Sequence, residues 1–229
     1  YSNIIGTFNL LEILNQLKTK KKLNAKFRFI HVSTDEVYGS ILKGKFTEKS
    51  NYKPNSPYSA SKASSDLLVR SWFKTYNFPA IITNCSNNFG PYQNEEKFIP
   101  KVITNILSKK KIPIYGNGKN MRDWIYVDDH ISALKTIAIK GKIGENYNIG
   151  GQNILTNNEI VQLIFDLMRE KYINFDPASL IEYVSDRKGH DFRYAISNRK
   201  INNKLNWYPQ YKFKNSLIKT IDWYCKKFK

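Results

Sequence analysis

Cysteine is the first thing this sequence has little of: Cys85 and Cys225 are the only two in 229 residues. They lie far apart and have no ligand-like neighbours, so neither a disulfide framework nor a zinc centre is suggested, and no metal is expected. Long apolar runs are missing too. None approaches the roughly 20 residues of a membrane-spanning helix, and the first residues lack the basic-then-apolar order of a signal peptide. A cytoplasmic protein with no membrane partner is the expectation. Acidic residues are scarce beside basic ones, 19 against 37, for a net charge of +18. Such an excess raises nucleic acid as a partner. The lysines, however, gather at 18–22, 109–111 and 226–229 without interleaved aromatics on which bases could stack. We therefore expect solvated lysines and no nucleic acid, with the positive field free to attract a polyanionic small substrate. Finally, Gly150-Gly151 lacks the G-x-G-x-x-G spacing of a dinucleotide loop.

What is present reads as an α/β chain. Hydrophobic residues make up 41% and aromatics 14%, enough for a large core in one domain or two small ones. Helical spacing of Ile4, Ile5, Phe8, Leu11, Ile13 and Leu14 predicts an amphipathic helix over 1–17. An apolar run over 27–32 predicts a strand, 43–57 a polar loop, and 59–76 a second helix with Leu67, Leu68, Trp72 and Phe73 as its apolar positions. A strand over 80–85 follows, and strand, helix, strand in this order implies parallel pairing with helical crossovers. Further on come a helix over 98–107, extended pieces at 112–115 and 123–127, a helix from Asp128, a strand over 146–149, a helix over 156–171 and a closing helix over 217–228.

The chemistry-bearing residues sit at the ends of the two early strands. Thr34, Asp35 and Glu36 follow the first, and Tyr58 and Lys62 open the second helix four residues apart, on one face. A neighbouring ammonium lowers a phenol's pKa, which makes Tyr58 a candidate base; the bland alternative is a chance pair in a chain with 15 tyrosines. Asp35 and Glu36 can serve as one acid and one base if their environments differ and the backbone turns there, or they are an ordinary acidic loop. Asn84, Asn87 and Asn88 around Cys85 either bind a carboxamide and a diphosphate or fix a turn. Arg122, Arg187 and His190 either bind phosphate or form surface ion pairs. His31 and His130 are read as structural.

Ser33-Thr-Asp-Glu-Val-Tyr-Gly39, Tyr58-Ser-Ala-Ser-Lys62, Asn84-Cys-Ser-Asn-Asn-Phe-Gly-Pro-Tyr92, Pro113-Ile-Tyr-Gly116, Arg122-Asp-Trp124, Tyr147-Asn-Ile-Gly-Gly151 and Asp186-Arg-Lys-Gly-His-Asp191 together resemble the dTDP-glucose 4,6-dehydratases, within the extended short-chain dehydrogenase/reductase family. The resemblance runs nearly end to end. It implies a Rossmann-type doubly wound parallel sheet with a smaller C-terminal α/β substrate domain. The NAD-binding part would comprise 1–90, about 121–151 and 190–204, and the nucleotide-sugar part about 91–120, 152–189 and 205–229.

The same resemblance implies that tightly held NAD is reduced and reoxidised within one turnover on dTDP-glucose, with a place in dTDP-rhamnose biosynthesis. Tyr58 would deprotonate the hydroxyl at sugar carbon 4, Lys62 would lower the phenol pKa and bind the nicotinamide ribose, and Thr34 would hydrogen-bond the same oxygen. Glu36 would take the carbon 5 proton while Asp35 protonates the hydroxyl leaving carbon 6. Ser33, Cys85 and Asn88 would border the cofactor. Asn87, Arg122, Asn157, Arg187 and His190 would hold the diphosphate side of the substrate, and Tyr115 would pack on the thymine. Helices 1–17 and 59–76 match those that pair across the family's homodimer. The glycine-rich first unit of the family is absent, so an incomplete copy is expected, with on the order of a hundred residues, more than one ~30-residue βαβ unit, preceding Tyr1. The present chain alone would then bind NAD poorly. Two alternatives remain: another NAD-dependent nucleotide-sugar epimerase or decarboxylase, and a noncatalytic basic binding protein.

Overall fold

The computed structural model describes residues 1–228. Its first sheet is parallel and three-stranded, in the order β1 (Phe29–Thr34), β2 (Ala80–Cys85) and β6 (Asn146–Ile149). β2 is buried along its whole length because helices cover both of its faces. Ala80 and Ile82 pack with Leu11 of α1 (Ile5–Thr19) and with Val69 and Trp72 of α2 (Pro57–Tyr76). Ile81 and Cys85 point the other way, into a cluster with Ala133 and Ile137 of α4 (Val127–Lys140) and Ile201 and Leu205 of α6 (Arg199–Leu205). The parallel pairing is what the strand and helix order implied, and helices on both faces are the doubly wound arrangement that the resemblance implied.

A second group of elements surrounds its own core. α3 (Phe98–Leu107), α5 (Asn157–Lys171) and α7 (Phe213–Lys227) bury Ile99, Ile103, Ile160, Ile164, Leu217 and Tyr224 against the parallel pair β4 (Ile112–Tyr115) and β8 (Ile181–Val184). Between the two groups runs a small mixed sheet. β3 (Asn87–Phe89) pairs parallel to β5 (Met121–Tyr126), which pairs antiparallel to β7 (Ile154–Thr156).

Local chemistry explains the boundaries that differ from the sequence reading. The first strand begins at Phe29, two residues later than expected, because Phe27 closes a turn onto the Asn24 carbonyl and rests on Phe78 instead of entering the ladder. α2 begins at Pro57, where the missing amide hydrogen costs nothing, and Ser56 and Ser59 exchange the two bonds of a capping box. The larger correction concerns α1. Its apolar residues were expected to form a buried face, yet only Thr7 and Leu11 are buried, and Ile5, Phe8, Leu10 and Ile13 are exposed. α1 leans chiefly on α2 and meets the sheet through Leu11, so a narrow stripe suffices. On α2 the expected Leu67 is likewise exposed, while Ala63 and Val69 are buried. Among the described residues, no helix is long and apolar enough to cross a membrane.

Candidate active site

β1 ends at Thr34, and the chain turns at once into a single 3-10 turn, Asp35–Tyr38. The Thr34 hydroxyl caps this turn by accepting from the Glu36 amide at 3.3 Å. Gly39 closes it with φ 80°, and a Cβ there would lie 2.3 Å from the Lys53 carbonyl oxygen, so only glycine fits. In an extended strand Asp35 and Glu36 would face opposite sides; the turn lets both look over the carboxyl edge of the sheet.

Their surroundings are unlike. Asp35 is 2% exposed, and one of its carboxylate oxygens has no partner. Burial, reinforced by the charges of Glu36 and Asp123, pushes its pKa well above the ordinary carboxylate value. Glu36 is half-buried, and burial raises it as well, opposed by the positive charges of Arg122, Arg187 and Lys97. Two adjacent carboxyls in unequal settings can divide into a proton donor and a proton acceptor.

Tyr58 stands at the second position of α2, 52% exposed. Here the structure departs from the expected activation of the phenol. The Lys62 ammonium donates to the Val32 carbonyl at 2.8 Å. Partial burial and then the charges of Glu36, Cys85 and Asp35 raise the Tyr58 pKa. In this state the phenol is a proton donor at neutral pH, and lowering its pKa requires Lys62 to release Val32 or further positive charge to arrive.

Cys85 lies opposite Thr34 in the ladder; its thiol donates to the Ser33 carbonyl at 3.3 Å, and burial pushes its pKa up to about 12. Asn88 donates to the Cys85 sulfur at 3.4 Å and to the Ser86 carbonyl at 3.2 Å. The Ser33 hydroxyl and the side-chain oxygens of Asn87 and Asn88 are buried without partners. Unsatisfied polar atoms at adjoining strand ends are what a polar ligand would complete.

A basic and aromatic cluster adjoins this edge. Arg122 is 7% exposed; it donates to the carbonyls of Met121, Phe192 and Asp191 and stacks 4.3 Å over the Tyr194 ring. Burial lowers its pKa, and Asp35 and Glu36 are among the charges it faces. The expected alternative of a surface ion pair with Asp123 fails, since both residues are buried; Asp123 instead accepts from the Asn153 amide at 2.8 Å, and burial raises it to about 6. Tyr115, at the end of β4, meets the His190 ring edge-on and lies 5.1 Å from the Arg187 guanidinium. His190 is held by Asp186 at 2.6 Å, and burial lowers its pKa. Asn157, the first residue of α5, is buried and joined to this cluster through its backbone bond to Asn120, whose side-chain amide lies 3.4 Å from His190.

Several contributors escaped the sequence reading. Asp191 receives Asn55 at 2.5 Å and Tyr194 at 2.6 Å, and its carbonyl accepts from Arg122. Asp191 carried a signal, as the last residue of the 186–191 motif. Asn55 and Tyr194 carried none, because they reach the site from segments far away in sequence. Among the described residues no group of His, Cys, Asp and Glu could hold a metal ion.

The family model described as GDP-mannose 4,6 dehydratase matches residues 1–220. A dTDP-glucose 4,6-dehydratase of Xanthomonas campestris pv. campestris is 48% identical over 229 residues, which take in 97% of this chain and 65% of the relative. The crystal structure of dTDP-glucose 4,6-dehydratase from Bacillus anthracis in complex with NAD is 47% identical, with a TM-score of 0.87 over 98% of this chain and 68% of that one. The dTDP-glucose 4,6-dehydratase of Streptomyces venezuelae, solved with NAD bound, is 42% identical, with a TM-score of 0.89 over 98% of this chain and 66% of that one. The chain thus spans 65% of the length of the curated relative from Xanthomonas.

Proposed function

This chain belongs to the GDP-mannose 4,6 dehydratase family, and we propose from that premise that it carries the catalytic and sugar-nucleotide-binding part of an NAD-dependent dTDP-glucose 4,6-dehydratase. The observation that carries this reading is the pair Asp35 and Glu36, turned to one edge beside Tyr58 and buried to different depths. Relatives of that name at 48% identity support the choice of dTDP-glucose.

NAD fits the carboxyl edge of β1 and β2, where the buried oxygens of Ser33 and Asn88 lack partners. Ser33, Tyr58, Lys62, Cys85 and Asn88 would hold its nicotinamide end. When bound, NAD supplies the hydride acceptor at sugar carbon 4 and the donor at carbon 6. Once Lys62 has left the Val32 carbonyl and its charge has let the phenol ionise, Tyr58 receives the proton of the carbon 4 hydroxyl, and the Thr34 hydroxyl bonds to the same oxygen. The new ketone acidifies carbon 5. Glu36 takes that proton while Asp35, whose proton burial helps to retain, gives it to the hydroxyl leaving carbon 6, so the elements of water depart. Glu36 returns its proton to carbon 5 as carbon 6 is reduced, giving the 4-keto-6-deoxy sugar. The diphosphate would lie among Asn87, Arg122, Asn157, Arg187 and His190, with Tyr115 against the thymine. In this reading the cofactor part comprises 1–90, about 121–151 and 190–204, and the substrate part about 91–120, 152–189 and 205–229.

The reading extends to a homodimer through α1 and α2, supported by their exposed apolar residues, and to a reducing cytoplasm, which suits the reduced thiol of Cys85. A place in dTDP-rhamnose biosynthesis suits a product that already carries the 6-methyl group of a 6-deoxyhexose. An epimerase needs no acid and base beside the phenol, so the carboxyl pair separates the two chemistries. The test is Glu36→Gln in the enzyme expressed with any coding sequence upstream of Tyr1. Reduction of bound NAD should persist in the variant while product formation falls by at least about 100-fold, the usual weight of a general base; undiminished product would overturn the assignment of Glu36.

A further inference from the structure

Helix α2 carries Tyr58 and Lys62, β1 delivers Thr34, and something must fix the roll of the helix so that phenol and hydroxyl converge on one oxygen. The buried polar residues beneath α2 do this. Asp66 lies one turn beyond Lys62 and two beyond Tyr58, on the same face of the helix. It is buried in the seam between α2 and the sheet, with no lysine or arginine paired to it among the described residues. Tyr52 donates to one of its oxygens at 2.9 Å, and Asn84 of β2 donates to the same oxygen at 3.1 Å. Nε2 of His31, on β1, lies 3.1 Å from the other oxygen and 3.2 Å from the Ser65 hydroxyl.

Asn84 extends the connection to the chemistry. Its amide also donates to the Thr34 carbonyl at 3.2 Å, and its oxygen accepts weakly from Tyr38, which is bound in turn to Asn148 of β6 at 2.9 Å. One carboxylate thus ties the catalytic helix, through Asn84, to the backbone of Thr34 on β1, while His31 joins the helix through the Ser65 hydroxyl and faces the second Asp66 oxygen, which accepts no hydrogen bond. Lys62 ties the helix to β1 at Val32 in addition. Both donors to Asp66 converge on one of its oxygens, and two bonds made to a single buried atom admit few alternative geometries.

We propose that Asp66 is a positioning residue of the dehydration reaction, locking α2 in the orientation that brings Tyr58 to the oxygen held by Thr34. The proposal rests on the dehydratase reading, and its test separates the two. In the enzyme expressed with any upstream coding sequence, Asp66→Asn replaces the carboxylate by a weaker, neutral acceptor whose NH2 must face either the Tyr52 and Asn84 donors or His31, and so loosens the lock with little change of volume. The expected result is a fall in kcat of about 10- to 100-fold, as a small misplacement of a reacting group produces. KM for dTDP-glucose should stay within about twofold, because the nucleotide is held elsewhere. Tyr52→Phe, which removes one donor and no packing, should show the same split with a smaller fall. A kcat unchanged per folded molecule, or KM rising in step with the loss of kcat, would overturn the proposal.

A second readout does not depend on turnover. In protein labelled with 13C-tyrosine, the Tyr58 ring signal should move in Asp66→Asn and in Tyr52→Phe, while the Tyr115 signal keeps its position. If the parent enzyme proved inactive on dTDP-glucose, the function would fall and this measurement would still decide the role of Asp66: a stationary Tyr58 signal refutes it. Should Asp66→Asn fail to fold, Tyr52→Phe supplies both readouts.

Discussion

Asp35 is a residue whose environment works against its own ionisation. Burial and the nearby charges of Glu36 and Asp123 raise its pKa in the folded state, whereas the unfolded chain ionises it near 3.8. Below about that pH the group costs nothing; as pH rises towards the folded pKa, ionisation of the unfolded state draws stability away. Asp35→Asn, nearly isosteric and unable to ionise, should therefore be more stable than the parent. The gain should be absent near pH 3 and grow as pH rises towards 7. Thermal melts of both proteins across pH check it; a gain that is constant with pH would show that burial of charge is not its source. Activity should fall at the same time, because an amide cannot give up the proton, and the pair would exemplify stability withheld at a working site. The adjacency of the two carboxyls, and the tyrosine and lysine four apart, were legible from sequence alone. Their electrostatics were not: Lys62 bonds to the Val32 carbonyl, and the pKa of the phenol it was expected to activate is raised. Charge effects depend on which atoms share a desolvated volume, and sequence spacing does not report that.

At the level of elements, type and order were readable where periodicity was strong, as in α2, β2 and α5. Terminal residues slipped where apolar side chains serve loops: Phe27 packs on Phe78 outside the ladder, so hydrophobicity overran the strand. Short pieces such as β3, β7, β8 and α6 were missed, being too brief to show a period. α1 taught the reverse lesson. Its pattern promised a buried face, and the fold leaves Leu10 54% and Ile13 56% exposed, next to exposed Leu67 on α2. If these faces meet in a homodimer, Ile13→Glu should shift the sedimentation coefficient from dimer to monomer without loss of helical signal. A parent chain that sediments as a monomer at micromolar concentration would contradict the interface. The substitution touches nothing in the catalytic edge, so it isolates assembly from chemistry.

At the scale of the whole molecule, the site exists because two packing units share one boundary. β1, β2 and α2 bring Thr34, Asp35, Glu36, Tyr58 and Lys62; β5 and the 186–194 segment bring Arg122, Arg187 and Asp191 to face Glu36. That meeting of distant segments was legible only through the resemblance of the motifs, because composition and periodicity say nothing about which strand end adjoins which loop. The net charge of +18, taken alone, points towards polyanions at large; the buried Arg122 and the pairing of Tyr115 with Arg187 suit the proposed nucleotide ligand. The most direct measurement of the central claim is a proton NMR time course of the enzyme, expressed with any coding sequence upstream of Tyr1, given NAD and dTDP-glucose. The expected result is loss of the carbon 6 methylene signals and growth of a 6-methyl doublet from the 4-keto-6-deoxy sugar. Conversion to a 4-epimer, or an unchanged sugar with properly folded enzyme, would contradict the account.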